Sequence, residues 1–160
     1  MLIHTKGNLL AMAEAGKFNV IVHGCNCFCD MGGGIAKQLA TKYPEVAAAD
    51  DRYQAINPID KLGNFSSIRI GNEISHNFIV INAYTQVPGG GGENVFEYES
   101  FGLILRKLAI RYPGANFGLP YIGCGIAGGD PERIVPMIER FAESATWAGG
   151  TATLVEYDNV

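Results

Sequence analysis

The stretch that decides the fold is His23-Gly-Cys-Asn-Cys-Phe-Cys-Asp-Met-Gly-Gly-Gly-Ile-Ala-Lys37. The apolar run Asn19–His23 predicts a buried strand, and the residues from Gly34 to Tyr43 predict a helix. Three consecutive glycines between them let the backbone adopt positive φ angles and approach a ligand closely. A helix that begins there directs unpaired N–H groups and its positive end toward an anion. The alternative interpretation is a flexible connector. It is disfavoured because the glycines directly precede the start of a helix.

A second stretch, Leu119-Pro-Tyr-Ile-Gly-Cys-Gly-Ile-Ala-Gly-Gly-Asp130, repeats the order of strand, glycine-rich loop and helix. Gly123, Gly125 and Gly128 formally satisfy the dinucleotide motif G-x-G-x-x-G. No strand with a ribose-binding acid follows within about 20 residues, so a dinucleotide fold fits poorly. The loop still offers a concave set of N–H donors. Two such loops in one small sheet predict a pyrophosphate held between them.

The remaining chain alternates short apolar segments with helical patterns. Strands are predicted at Leu2–Thr5, Ser67–Ile70, Phe78–Ala83, Phe117–Ile122 and Thr151–Tyr157, and helices at Val46–Ala55, Glu97–Tyr112 and Pro131–Ala145. This alternation predicts an α/β fold with a mostly parallel sheet covered by helices, and antiparallel pairing near residues 62–83. Asp130 is the predicted N-cap of the last helix, with Pro131 at its first position. The 160 residues, without a marked boundary, predict one domain over residues 1–160.

The amino-acid composition limits the classes of partner that this chain can bind. The net charge is −4 and the basic residues are scattered, so no stripe of Lys and Arg is present for a nucleic-acid backbone. No apolar run approaches the roughly 20 residues of a membrane span, and the N-terminal residues lack the order of a signal peptide; a cytoplasmic protein is predicted. Cys25, Cys27 and Cys29 alternate, and with His23 and Cys124 they suggest zinc. However, C-x-C-x-C is not the usual zinc spacing, so neither a metal nor a cofactor is predicted.

Four side chains near the predicted loops have two interpretations each. Asn26 can bind a ribose hydroxyl or form an Asx turn. His23 can act as a general acid or base, or be a structural histidine at a strand end. Asp130 can cap the helix or also reach a ligand. Tyr157 can stack on an adenine or be a core aromatic residue.

Three blocks in this order resemble the signature blocks of macrodomains: Lys6-Gly-Asn-Leu-Leu10, His23 through Tyr43-Pro44, and Leu119 through Asp130. They span nearly the whole chain. The chain most resembles the fungal-type ADP-ribose 1″-phosphate phosphatases and their short bacterial and phage relatives. That branch has Lys-Gly-Asn where many macrodomains have Gly-Asp, and a histidine three residues before the ribose-binding asparagine. The resemblance implies a three-layer α/β/α macrodomain with a mixed, mostly parallel central sheet.

The resemblance also implies a ligand and a reaction. ADP-ribose or ADP-ribose 1″-phosphate would be the small-molecule partner, and hydrolysis of the terminal phosphate the reaction. Nucleic acid would enter only as an ADP-ribosylated substrate. His23 corresponds to the family's catalytic histidine, and Asp130 is the second candidate catalytic residue. The predicted ligand-binding residues are Asn8, Leu9, Asn26, Gly32, Gly33, Gly34, Ile35, Gly123, Cys124, Gly125, Ile126 and Ala127, to which Tyr157 is added for its aromatic ring.

A neighbouring macrodomain branch, which removes ADP-ribose from protein carboxylates and from DNA, resembles the same blocks. It uses a lysine after the strand equivalent to Phe78–Ala83, where this chain has Gln86, and an aspartate where this chain has Ala127. A covalent lysine mechanism is therefore not predicted. An ADP-ribosyl hydrolase and a non-catalytic ADP-ribose reader stay open as alternatives, and closure of the Gly89–Gly92 loop over the ligand stays a hypothesis.

Overall fold

The computed structural model describes residues 1–28, 31, 34–53, 55, 57–71, 77–88, 94–123 and 128–157. Within these ranges the strands are β1 (Leu2–Gly7), β2 (Val20–Asn26), β3 (Phe65–Ile70), β4 (Phe78–Pro88), β5 (Asn94–Phe96), β6 (Asn116–Leu119) and β7 (Thr151–Tyr157). The helices are α1 (Leu9–Glu14), α2 (Gly34–Lys42), α3 (Pro44–Arg52), α4 (Tyr98–Arg111) and α5 (Pro131–Trp147), with one 3₁₀ turn at Pro58–Lys61.

The strands form one mixed sheet in the order β1-β7-β6-β2-β4-β3, with β5 paired to the end of β4. The pairs β1/β7, β7/β6, β6/β2 and β2/β4 are parallel. The pair β3/β4 is antiparallel, as predicted for residues 62–83, and the pair β4/β5 is antiparallel as well. The mostly parallel sheet predicted from the sequence is confirmed.

Helices cover both faces of the sheet and enclose two hydrophobic clusters. Helices α4 and α5 pack on one face, where Val22, Phe117 and Ile138 are buried. Helices α1, α2 and α3 pack on the other face, where Ile21 and Phe78 are buried. The fold is therefore the expected three-layer α/β/α arrangement. None of the helices in the described ranges combines the length and the apolar composition needed to cross a bilayer.

The observed element bounds differ from the predicted ones where local chemistry overrides hydrophobic pattern. Strand β6 ends at Leu119 instead of Ile122, because Pro120 has no N–H and the Ile122 N–H donates to its carbonyl oxygen at 2.8 Å. Strands β2 and β4 instead extend beyond their predicted ends, to Asn26 and Pro88. The short elements α1 and β5 were not predicted, since so few residues give no clear period.

Candidate functional site

The two glycine-rich loops leave adjacent strands at the same edge of the sheet. Strands β2 and β6 are parallel neighbours, and each loop follows the carboxyl end of one of them. The first loop leads to α2 on one face, and the second leads to α5 on the other face. Neighbouring parallel strands whose helices turn to opposite faces form a topological switch point, where α/β proteins bind ligands in the crevice between the loops. We call this place the switch-point crevice.

The start of the first loop is held in place by the side chain and backbone of β2. Asn26 is 4% exposed, and its Oδ1 accepts a hydrogen bond from the Phe28 N–H at 2.9 Å. The pairing with β4 shifts between Cys25 and Asn26, and the Cys27 N–H donates to the Gln86 carbonyl oxygen at 3.2 Å. The predicted Asx turn is confirmed. Ribose binding by Asn26 stays a prediction.

The first loop ends at Gly34, the first residue of α2, which has a φ of 57°. Glycine adopts this conformation without strain, and among the described residues no atom lies within 4 Å of a Cβ placed on Gly34. Ile35 follows, half-buried against the cluster on the α1–α3 face. The glycine here provides the backbone conformation with which α2 begins.

The second loop is closed at its base. The Gly129 N–H donates to the Gly123 carbonyl oxygen at 2.6 Å, and the Asp130 N–H donates to the Tyr98 hydroxyl at 2.9 Å. Gly123 has a φ of 77°, and a Cβ there would lie 2.3 Å from the ring of Phe96. Sequence reasoning missed both aromatic residues, because no local pattern shows that the strand β5 and the start of α4 support this loop.

The N-termini of the two helices at the crevice differ in charge. Asp130 is the N-cap of α5, as predicted, and its Oδ1 accepts from the Glu132 N–H at 2.9 Å. Its carboxylate therefore already lies at the positive end of α5. The first turn of α2 contains no acidic residue. The α2 N-terminus is thus the better placed of the two for an anionic ligand.

His23 is buried below the crevice, on the face covered by α3. It is 1% exposed, and its Nε2–H donates to Asn82 Oδ1 at 2.6 Å. The Cys25 Sγ lies 3.7 Å from its Nδ1. Burial lowers the pKa of His23, which the hydrogen bond with Asn82 and the charge of Asp50 only partly offset. Asp130, at the start of α5, is exposed and lies on the opposite face, so the two candidate catalytic residues are not in contact.

From Asn82 a buried polar network continues to the edge of the sheet. The Asn82 Nδ2 donates to Ser66 Oγ at 3.1 Å, and Ser66 Oγ lies 2.8 Å from the Tyr84 hydroxyl. The Tyr84 hydroxyl donates to Asp50 Oδ1 at 2.7 Å. The Lys61 Nζ lies 3.5 Å from the same oxygen and 4.6 Å from the centre of the Tyr84 ring. Burial raises the pKa of Tyr84, which stays protonated as a donor.

At the far end of the same edge lie the residues predicted to flank an adenine. Asn8 caps α1, its Oδ1 accepting from the Ala11 N–H at 2.9 Å, and Leu9 is buried. Tyr157 ends β7 beside Gly7 and is 55% exposed. Tyr157 is therefore not a core aromatic residue, and its ring is accessible for stacking.

Six predicted ligand-binding residues lie outside the described residues: Gly32, Gly33, Cys124, Gly125, Ile126 and Ala127. The Gly89–Gly92 loop also lies outside them. In the part of the chain that the structure describes, no group of three or more Cys, His, Asp or Glu side chains could hold a metal ion. The described site residues converge on one edge of the sheet, with Asn8 and Tyr157 at one end and Asn26 with the first loop nearer the other.

Comparison with known proteins gives relatives of similar length and similar fold. No family model matches the sequence. An uncharacterised 17.5 kDa protein of enterobacteria phage T4 is 31% identical over 145 residues, which are 87% of this chain and 88% of that protein. An ADP-ribose 1″-phosphate phosphatase of Saccharomyces cerevisiae (strain YJM789) is 41% identical over 44 residues, which are 28% of this chain and 24% of that protein.

Two solved structures show the fold. The macrodomain of Mycobacterium tuberculosis DarG superimposes with a TM-score of 0.75 at 20% identity, over 97% of each chain. The Trypanosoma brucei macrodomain in complex with ADP-ribose gives a TM-score of 0.65 at 13% identity, over 98% of this chain and 63% of that one.

The three-layer fold and the topological switch point between β2 and β6 thus define the class: the chain has the macrodomain fold. Within that class it belongs to the same family as the phage T4 protein.

Proposed function

We propose that this chain binds ADP-ribose in the switch-point crevice. The observation that carries the proposal is the pair of glycine-rich loops on the adjacent strands β2 and β6, followed by helices on opposite faces. Such loops offer backbone N–H groups to a diphosphate without requiring basic side chains, which suits a chain of net charge −4. The bound ADP-ribose of the similarly folded trypanosome protein supports the same choice of ligand.

The two ends of the crevice differ in chemistry, which orients the ligand. The exposed ring of Tyr157 lies at the β1/β7 end and offers a stacking surface for the adenine. Hydroxyl and amide groups, from Asn26, Thr85 and Gln86, lie at the β2/β4 end. Sugar hydroxyls need such polar partners. We therefore orient ADP-ribose with its adenine at the β1/β7 end and its second ribose at the β2/β4 end.

Isothermal titration calorimetry with ADP-ribose tests the binding. The variant Gly34→Ala adds a Cβ in the left-handed region at the mouth of α2, where it strains the helix start that would face the diphosphate. Gly16→Ala is the matched control. Gly16 has a φ of 84° and equally open surroundings, but it lies in the turn before β2, at the other edge of the sheet. We expect Gly34→Ala to lower the affinity and Gly16→Ala to leave it unchanged.

Absence of ADP-ribose binding by the wild-type chain would overturn the proposal. An equal loss of affinity in both glycine variants would contradict the proposed location, since strain alone would then explain the result. The melting temperatures of the two variants, which should fall by similar amounts, show whether the strain is matched.

The finer proposal is that the protein hydrolyses the terminal phosphate of ADP-ribose 1″-phosphate. The 44-residue match to the yeast phosphatase supports it. Loop N–H groups that hold a phosphate also stabilise the charge that develops in its transition state. Asp130 has an exposed carboxylate at the end of the second loop, where it can act as general base toward a water molecule. The predicted catalytic role of His23 requires its buried ring to give up the hydrogen bond to Asn82.

Phosphate release from ADP-ribose 1″-phosphate separates the two catalytic candidates. Asp130→Asn keeps a side-chain oxygen for the Glu132 N–H but removes the base, so we expect turnover to fall by about 10²-fold or more with ADP-ribose affinity retained. His23→Gln keeps an N–H donor for Asn82 but cannot transfer a proton. Full turnover by a folded His23→Gln protein would exclude proton transfer or nucleophilic attack by His23.

The alternatives correspond to distinct results in the same assays. Binding of ADP-ribose without phosphate release identifies a non-catalytic reader. Release of ADP-ribose from modified protein or nucleic acid, faster than phosphate release, identifies an ADP-ribosyl hydrolase. Gln86 lies near the position where the related hydrolase branch has its lysine, and an amide cannot form the covalent intermediate that a lysine forms.

A further inference from the structure

The hydroxyl of Thr85 is a buried polar group without a partner beneath the switch-point crevice. Thr85 lies in β4 and is completely buried, and its Oγ1 has no hydrogen-bond partner among the described residues. It is the one buried side-chain nitrogen or oxygen in those residues of which this is true. An unpaired buried hydroxyl destabilises the protein, and native structures keep few of them.

The surroundings of this hydroxyl belong to the β2/β4 end of the crevice. A Cβ placed on Gly24 would lie 3.1 Å from Thr85 Oγ1, 3.0 Å from Ile122 Cγ2 and 3.6 Å from Gln86 Oε1. Gly24 is two residues before Asn26, and Ile122 directly precedes Gly123 of the second loop. Glycine inside a strand often marks a close approach of another group. Here the missing side chain lets Ile122 and the Thr85 hydroxyl pack closely against the backbone of β2, so a ligand can reach the hydroxyl only from the side of Gln86.

Gln86 is the movable part of this arrangement. It is half-buried and pairs with Asn26 across the β2/β4 ladder, and its Oε1 lies 3.6 Å from the same Cβ position on Gly24 that Thr85 Oγ1 approaches. Side-chain rotation at a binding surface is common when a ligand binds, while the backbone moves little. Thr85 itself is held by its backbone, since its carbonyl oxygen accepts from the Glu97 N–H at 2.7 Å.

We propose that Thr85 is a specificity-determining residue: its hydroxyl hydrogen-bonds a hydroxyl of the second ribose once Gln86 turns aside. This inference rests on the proposed binding of ADP-ribose. A ribose hydroxyl both donates and accepts, and so does the threonine hydroxyl. Thr85 therefore distinguishes ADP-ribose from ADP, which lacks the second ribose.

Calorimetry with ADP-ribose and ADP on Thr85→Val and Thr85→Ser tests the proposal. Valine has the shape of threonine without the hydroxyl, and serine keeps the hydroxyl. We expect Thr85→Val to bind ADP-ribose about fivefold more weakly, the value of one neutral hydrogen bond, and to bind ADP as the wild type does. Thr85→Ser should retain the preference for ADP-ribose. Without ligand, Thr85→Val should melt at the wild-type temperature or above, because it lacks the unpaired hydroxyl.

Each other result counts against the proposal. Wild-type affinity of Thr85→Val for ADP-ribose, or an equal loss for ADP-ribose and ADP, would overturn it while the proposed function stands. A lower melting temperature of ligand-free Thr85→Val would show that the hydroxyl is already bonded in the free protein. Thr85→Ala, measured in parallel, gives the same comparison if the valine variant does not fold. Failure of the wild type to bind ADP-ribose would overturn both proposals.

Discussion

The two faces of the sheet have cores of different chemistry. Under α4 and α5 the interior is apolar, with Phe117, Ile134 and Ile138 among its fully buried side chains. Under α3, next to an apolar cluster of its own, lies the buried polar network from His23 to Lys61. Both sets of side chains are excluded from water. The apolar set is stabilised by the burial of apolar surface and by close packing. The polar set is stabilised by directional hydrogen bonds and one ion pair.

Between His23 and Asp50 the hydrogen bonds of the network all run in the same direction, from donor to acceptor. His23 donates to Asn82, and Asn82 donates to Ser66. Because the Tyr84 hydroxyl donates to Asp50, the Ser66 hydroxyl must be the donor to Tyr84. Every member therefore has a defined orientation. A fully satisfied polar network of this kind specifies one arrangement of its elements, whereas apolar contacts tolerate small shifts.

This difference has a consequence for the crevice. Asn82 also donates to the Val46 carbonyl oxygen of α3 at 3.2 Å, so the network joins α3 to the strands β2, β3 and β4. His23 and Asn26 lie three residues apart in β2. The polar face thus positions the strand that leads into the first loop. The apolar face supports the second loop through Phe96 and α5.

The largest expected effect comes from breaking the ion pair on the polar face. Asp50→Ala removes the carboxylate that faces the ammonium of Lys61, a residue that is 3% exposed, and the free energy of unfolding should fall by about 3–5 kcal/mol. Urea unfolding measures it. The double variant Asp50→Leu with Lys61→Met removes both charges and should recover much of the loss. A double variant no more stable than the single one would contradict the assigned role of the pair.

A smaller effect is expected on the apolar face. Ile138→Val removes one methylene group from a fully buried side chain, which should lower the free energy of unfolding by about 0.5–1.5 kcal/mol. The same urea measurement applies, with the exposed Ile110→Val in α4 as a control that should change little. A loss above about 3 kcal/mol would show that a substitution on the apolar face costs as much stability as one on the polar face, contrary to our expectation.

The smallest effect on stability at neutral pH is expected for His23, and this effect should grow as the pH falls. Because burial depresses its pKa below the ordinary histidine value of 6.5, the unfolded chain binds the proton first as the pH falls. The stability is therefore fully present above pH 6.5 and is lost as the pH falls toward the folded-state pKa. Melting temperatures of wild type and His23→Gln between pH 8 and about 5 measure this. Curves that stay parallel below pH 6.5 would contradict it.

Part of this structure could be predicted from local sequence and part could not. The cap at Asp130 and strand β7 follow from patterns of a few residues, and the structure confirms them. The network from Asn82 to Lys61 and the unpaired hydroxyl of Thr85 could not be predicted. The groups that come together there lie far apart along the chain, as His23 and Asn82 do at a separation of 59 positions. No local period links such positions.

The sequence by itself determined that two strands each run through a glycine-rich loop into a helix, because backbone conformation and helix capping depend on neighbouring residues. Only the tertiary structure decided that β2 and β6 are adjacent and that α2 and α5 turn to opposite faces. Strand order and the side on which each helix packs depend on the burial of whole apolar faces, which involves the entire chain at once. That packing turns two separate loops into one crevice.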